Sequence, residues 1–220
     1  MVTTEIAEKI ERLEEKYAAM GQNLSSYLDG LLYADYLTYW DYIQLDVLLN
    51  LQHPRTSIPD ESIFIIYHQI TELYFKLTLK AIDQICQAPV LLAEDFKVQL
   101  KRINSYFRNL THSFEIMVDG MDKEQFLQFR MALLPASGFQ SGQYRMIEIC
   151  STRLLNLVYE PLRPEVEHRD LKGILDNIYW RSGATELATG KKTLTLRQFE
   201  LKYMDTFLQL AARYKDSNLQ

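Results

Sequence analysis

Residues 126–148 read FLQFRMALLPASGFQSGQYRMIE, an arginine set among aromatics and followed by a Pro-Ala-Ser-Gly break. Ahead of the break, Phe126, Phe129, Arg130 and Leu133 recur at three- and four-residue intervals. That spacing predicts a helix over Lys123–Leu134 with Arg130 on the face of Phe126, Phe129 and Leu133. Pro135 cannot continue a helix, and Gly138 permits the positive φ that a tight turn often needs. The tetrapeptide therefore separates this helix from a second, expected from about Phe139 to Tyr159, with Tyr144, Ile147, Cys150, Leu154 and Val158 on its apolar stripe. The break exposes backbone N–H groups and the Ser137 hydroxyl. A guanidinium keeps its charge at ordinary pH, so Arg130 snorkels to water, pairs with an acidic side chain, or offers its planar fork to an anionic ligand such as a carboxylate.

Helical periodicity extends outward from this segment. In SIFIIYHQITELYFK, residues 62–76, Phe64, His68, Thr71 and Phe75 share one face, and Asp60 after Pro59 reads as the N-cap of a long helix reaching about Gln87. His68 is either a core histidine satisfied by a neighbour or a functional imidazole beside an aromatic ring, with Glu72 one turn on as a possible orienting group. In YADYLTYWDYIQLDVLLNLQ, residues 33–52, tyrosines at 33, 36, 39 and 42 repeat every three residues. Such a stripe belongs to a core, a subunit interface or the wall of an amphipathic ligand site, because buried hydroxyls need partners.

The remaining chain is read as helices and loops. Glu5–Met20 forms an amphipathic helix with Ile6, Ile10, Leu13 and Tyr17 on one face and Gly21 as its stop. Residues 53–60 are a loop, a further helix runs from Ala93 to Asp119 with Gly120 ending it, and 160–170 is a charged connector with two prolines. In GATELATGKKT, residues 183–193, six residues separate Gly183 from Gly190 where a phosphate loop requires four, so a loop between helices is the better reading.

Composition excludes several classes. The 220 residues are 47% hydrophobic, enough for a sizeable core, and the net charge of −5 argues against a nucleic-acid-binding surface. No apolar run approaches the roughly 18 residues of a membrane span, the amino terminus lacks a signal pattern, and there are only two cysteines, Cys86 and Cys150. A reducing cytoplasm is the expected setting.

Three motifs in order, YxxYIxLDxLLxxQ at Tyr39–Gln52, FIIxHQxxELxxK at Phe64–Lys76 and FRxxLxPxSGFQSxQYRxIE at Phe129–Glu148, resemble those of the tryptophan 2,3-dioxygenase family. The resemblance implies an all-α fold, a helical bundle of the tryptophan/indoleamine dioxygenase type. It implies one helical domain over 1–220, made of an N-terminal arm at 1–32, the core motifs at 33–159 and a C-terminal part at 160–220 that stops short of the family's length. It also implies haem-dependent insertion of O2 into the indole C2–C3 bond of L-tryptophan, giving N-formylkynurenine, in a cytoplasmic homotetramer. His68 is then the distal histidine facing the indole N–H, Phe64 packs on the indole, and Arg130 grips the substrate carboxylate. Ser137 lies beside the haem, and Tyr39 and Tyr42 reach into a neighbouring subunit's site. Phe126 stands where the family often has a tyrosine whose hydroxyl also bonds the carboxylate. The family's proximal histidine and the Gly-Thr-Gly-Gly-type loop after it have no match here: His53, His112 and His168 all fall outside that pattern. The alternative implied by that departure is a haem-free binding or assembly protein for tryptophan or indole-like ligands.

Overall fold

A computed structural model describes residues 3–34, 38–88, 90–182, 184–185 and 191–219. Tyr36 of the tyrosine stripe and most of the glycine loop at 183–193 lie outside the described residues. The described residues form helices and turns with no strand, only two isolated bridges, Val158 with Ile178 and Thr185 with Lys192. The all-α expectation holds. The chain divides into two compact units, Met1–Leu51 and Gln52–Gln220.

The first unit holds α1 (Thr4–Ala19), α2 (Leu24–Tyr33), α3 (Tyr39–Tyr42) and α4 (Leu45–Leu48). α1 ends as the glycine predicts. Gly21 takes φ 66°, its N–H bonds the Ala18 carbonyl and the Gln22 N–H bonds the Tyr17 carbonyl, a Schellman closure. Asn23 caps α2 by accepting from the Ser25 N–H at 2.8 Å. Tyr17 and Tyr27 pack with ring centroids 4.6 Å apart. Yet none of the described residues in this unit is buried, and Ile6, Ile10 and Leu13 of the α1 stripe face solvent.

The second unit is built on α5 (Asp60–Gln87), whose 28 residues span about 42 Å at the helical rise. α6 (Ala93–Ser113) returns antiparallel along it, as the ring pairs Tyr67–Phe114, Phe75–Phe107 and Tyr74–Tyr106 show, and α7 (Glu115–Val118) continues α6 after a break at Phe114. Asp60 is the first residue of α5 and not its N-cap: Pro59 already has helical backbone angles, and the Asp60 carboxylate instead accepts from the Asp122 N–H at 2.6 Å. That bond ties the start of α5 to α8 (Lys123–Phe129), which Asp122 caps through the Gln125 N–H.

The helix expected over Lys123–Leu134 changes character at Arg130. Residues Arg130–Leu133 are a 3₁₀ turn, and Leu134 is extended before Pro135, as a residue preceding proline must usually be. The second expected helix is also shorter, since α9 (Gly142–Ser151) ends where Thr152 turns extended. A 3₁₀ turn, Leu154–Leu157, then delivers Val158 to its bridge with Ile178. α10 (Arg163–Val166), α11 (Leu171–Leu175) and α12 (Tyr179–Ser182) lead to α13 (Leu194–Arg213).

α9 is the hinge of the interior. Ile147 and Cys150 join Ala81, Ile82, Ile85, Ile103 and Tyr214 in one buried cluster, while Ile149 joins Leu175, Ile178, Trp180, Leu196, Phe199 and Phe207 in another. Gly142 lets α9 lie against α13, because a Cβ there would sit 2.5 Å from the Tyr203 ring.

Candidate functional site

α5 presents Phe64, Tyr67 and the exposed His68 to an open cavity of about 470 Å³ lined also by Phe114, Met117, Val118, Met121, Asp122, Lys123 and Phe126. Its aromatic wall is held from behind. Phe129, fully buried, meets Phe64 edge-on at 5.8 Å and Phe126 at 5.5 Å and 90°, so both rings are fixed by a third that water does not reach. Phe64 and the His68 ring lie 4.1 Å apart. The Tyr67 hydroxyl is turned away from the cavity's ligand space toward Leu110 and Ser113 of α6, at 3.5 Å from each.

The His68 bond defines its tautomer. Nδ1 lies 2.8 Å from the Phe64 carbonyl oxygen, and a carbonyl can only accept, so Nδ1 carries the hydrogen. In the neutral ring Nε2 is then an acceptor, suited to an N–H donor on a ligand. Gln143 on α9 fixes the next turn of α5, donating from Nε2 to the Glu72 carbonyl and to its carboxylate, both at 2.8 Å. Glu72 is thereby engaged with Gln143, and the His68 ring is oriented by its own helix.

Arg130 stands one turn beyond Phe126, at the junction where α8 tightens into the 3₁₀ turn. It is exposed and does not line the cavity, and among the described residues nothing hydrogen-bonds or ion-pairs with its guanidinium. Of the three readings open from sequence, an internal acidic partner is thus absent among the described residues. The cation on the cavity wall is Lys123. Ser137 is exposed at the start of a second 3₁₀ turn, Gly138–Gln140, where its N–H donates to Gln140 Oε1 at 2.8 Å. Tyr39 and Tyr42 belong to the first unit, 71% and 78% exposed. Within the second unit the structure therefore brings Phe64, His68 and Phe126 together and leaves Arg130 and Ser137 off the cavity wall.

Three buried charges were not singled out in the sequence, although the i,i+3 spacing of Arg145 and Glu148 is a helical signal that could have found one of them. Arg145 donates from Nη1 to Glu148 at 2.7 Å and to the Tyr179 hydroxyl at 2.8 Å, and lies 4.7 Å over the Tyr144 ring. Tyr179 in turn donates to Glu148 at 2.6 Å. Burial pushes the Glu148 carboxyl above its ordinary range, against the pull of Tyr179 and Arg145. Arg181 pairs with Asp176 at 2.7 Å and with Glu200. Glu61 is 1% exposed, and its carboxylate accepts from the backbone N–H groups of Arg55 and Thr56, both at 2.7 Å, and from the Thr56 hydroxyl. The Thr56 hydroxyl, with the two N–H groups and the Arg55 charge, outweighs burial and holds the Glu61 carboxyl below its usual range.

The donor set bears on haem. A flat apolar macrocycle suits an aromatic wall, and a haem iron needs an axial donor from the protein. The cavity lining offers one imidazole, His68, and no second one faces it among the described residues; His53, His112 and His168 are exposed elsewhere. Burial first, then the neighbouring Cys86 and Asp83, push the Cys150 thiol up to about 12, which makes it a poor thiolate donor near neutral pH. Among the described residues the lining thus supplies one imidazole and the Met117 and Met121 thioethers, donor types that can hold haem iron, and no second imidazole.

Comparison with known proteins gives a consistent result. A family model described as tryptophan 2,3-dioxygenase matches residues 29–154, more than half of the chain. The chain is 41% identical over 118 residues to the tryptophan 2,3-dioxygenase of Ruegeria sp. (strain TM1040), covering 53% of this chain and 42% of the relative. It is 38% identical over 147 residues to that of Bradyrhizobium sp. (strain BTAi1), covering 64% and 50%, and 41% identical over 117 residues to that of Herpetosiphon aurantiacus, covering 51% and 44%. The chain thus spans about half the length of the curated relatives it matches.

Proposed function

The chain belongs to the tryptophan 2,3-dioxygenase family, and on that premise we propose that it holds L-tryptophan for haem-dependent opening of the indole C2–C3 bond by O2, giving N-formylkynurenine. The observation that carries the reading is the Phe64–His68–Phe126 cavity, in which a fixed aromatic wall stands beside an imidazole whose Nε2 accepts. An indole fits both features at once, because its ring packs on Phe64 and its N–H donates to His68. Arg130, one turn from Phe126 and without an internal partner, grips the carboxylate bidentately. Phe126 supplies apolar contact and no hydroxyl, so the carboxylate relies on Arg130 and on Lys123 at the rim.

The proposed roles of these residues concern the amino acid alone. His68 orients the indole, the aromatic rings pack on it, and Arg130 sets the register of the side chain, together fixing the geometry in which the indole reacts. Haem is proposed as the family's O2-activating group, with Ser137 beside it, and its axial donor is not assigned to any described residue.

A homotetramer is part of the same proposal. The first unit buries none of its described residues and exposes Leu31, Leu32, Tyr33, Tyr39 and Tyr42, an apolar surface that a neighbouring subunit's site would cover. No helix among the described residues is long and apolar enough to cross a membrane, and Cys86 and Cys150 are free thiols, in keeping with the cytoplasmic setting we propose. The single imidazole at the cavity favours one second reading, a haem-free protein that binds tryptophan or an indole-like ligand.

An absorption spectrum of the protein expressed with added haem, reduced with dithionite and titrated with L-tryptophan, separates the two. A stoichiometric Soret band that shifts with tryptophan supports the dioxygenase. Tryptophan binding without such a band supports the haem-free protein.

A further inference from the structure

The carbonyl of Ala132 is a vacancy created by the sequence. In the 3₁₀ turn that begins at Arg130, the Ala132 oxygen would accept from residue 135, but Pro135 has no N–H, and the next donor, the Ala136 N–H, is already given to Leu133 at 2.8 Å. The missing donor arrives from 77 residues away: Arg55 Nη1 reaches the Ala132 oxygen at 2.9 Å. Arg55 is itself anchored at its backbone, because the buried Glu61 carboxylate takes the N–H groups of both Arg55 and Thr56. The Arg130 turn is thus attached to the first turn of α5, the helix that carries Phe64 and His68.

We propose that Arg55 is a positioning residue for Arg130, holding the turn so that the guanidinium and the aromatic cavity meet the two ends of one amino acid. The proposal rests on Arg130 being the carboxylate clamp. Arg55 touches no ligand; it acts through the Ala132 carbonyl, with Glu61 fixing the strand of loop from which it reaches.

The test compares equilibrium binding of L-tryptophan with that of tryptamine, which keeps the indole and lacks the carboxylate, by calorimetry on the full chain. Arg130→Ala is expected to weaken L-tryptophan roughly tenfold or more while leaving tryptamine within about twofold, the loss of a charged hydrogen-bonding partner. Arg55→Ala, at an exposed position, should reproduce that split in smaller measure, roughly three- to tenfold, and Arg55→Lys, which keeps a donor, should restore most of it. A defect that is merely structural would weaken both ligands together and overturn the proposal. If Arg130→Ala separates the two ligands and Arg55→Ala behaves as wild type, the clamp stands and Arg55 has no part in it. If Arg130→Ala does not separate them, the clamp is absent and the proposal falls with it.

Discussion

Two arginines fifteen residues apart behave in opposite ways. Arg145 is buried, donates to Glu148 and Tyr179, and covers the Tyr144 ring; Arg130 is exposed, with no partner for its guanidinium among the described residues. Both follow aromatics in the same motif-bearing segment, but only Arg145 has an acid at helical spacing, Glu148 three residues on, where Arg130 has Leu133. The far side of the fold completes the difference: α12 brings Tyr179 over Arg145, whereas the Pro135 break turns the chain away after Arg130. A buried guanidinium paired with Glu148 and Tyr179 holds helices together, and an exposed one without a partner among the described residues is available to a ligand.

The comparison is broken most sharply by removing Arg145. Arg145→Leu leaves the Glu148 carboxylate mostly buried without its cation, and unfolding midpoints in urea should show a loss of about 3–5 kcal/mol. Gly142→Ala drives a methyl group into the Tyr203 ring at the α9–α13 contact, and the same measurement should show a loss of about 1–3 kcal/mol. Arg130→Ala, in contrast, should change stability by no more than about 0.5 kcal/mol. Under the proposed dioxygenase function the variant should still raise KM for L-tryptophan and lower kcat/KM in protein supplied with haem; unchanged kinetics would remove Arg130 from the clamp.

The smallest effect is in pH dependence, and it has two signs. Glu61, held below the ordinary carboxylate value of 4.5, contributes stability that is present above that value and is lost as pH falls through its folded pKa. Glu148, held above 4.5 by burial, keeps its proton in the folded state where the unfolded chain has lost it, so its contribution declines as pH rises from 4.5 through its folded pKa. Glu61→Gln should therefore flatten the acid-side loss of stability, and Glu148→Gln should change the slope in the opposite sense. Urea midpoints between pH 7 and pH 3.5 check both.

Much of the fold was legible because its signals are local. The Phe64–His68 face and the helix over 60–87 follow from periodicity, although not from the Asp60 cap expected for it, the Gly21 stop follows from its positive φ, and the break at Pro135 follows from a missing N–H. The interior was less legible because its partners are distant in sequence. Glu148 meets Tyr179, Arg181 meets Glu200, and Arg55 meets Ala132, and no helical spacing encodes those pairs. The overrun of the helix after Gly142 has the same origin, since Val158 leaves helical geometry to bridge Ile178. At the candidate site, Phe64 and His68 were legible as one face of α5, while Phe126 on α8 was joined to them only by the resemblance to the family. Arg130 was expected among its rings, and although its N–H keeps the helical bond to the Phe126 carbonyl its side chain is exposed and off the cavity wall, and the Tyr39 and Tyr42 stripe, open between core and interface in the sequence, is exposed in its unit.

The central claim is that L-tryptophan spans the cavity between His68 and Arg130, and a crystal structure of the protein with bound L-tryptophan tests it most directly. The account predicts the indole against Phe64 and Phe126, its N–H donated to His68 Nε2, and its carboxylate on the Arg130 guanidinium. A ligand seated elsewhere, or one in this cavity whose carboxylate is held by Lys123 with Arg130 still in solvent, would contradict it.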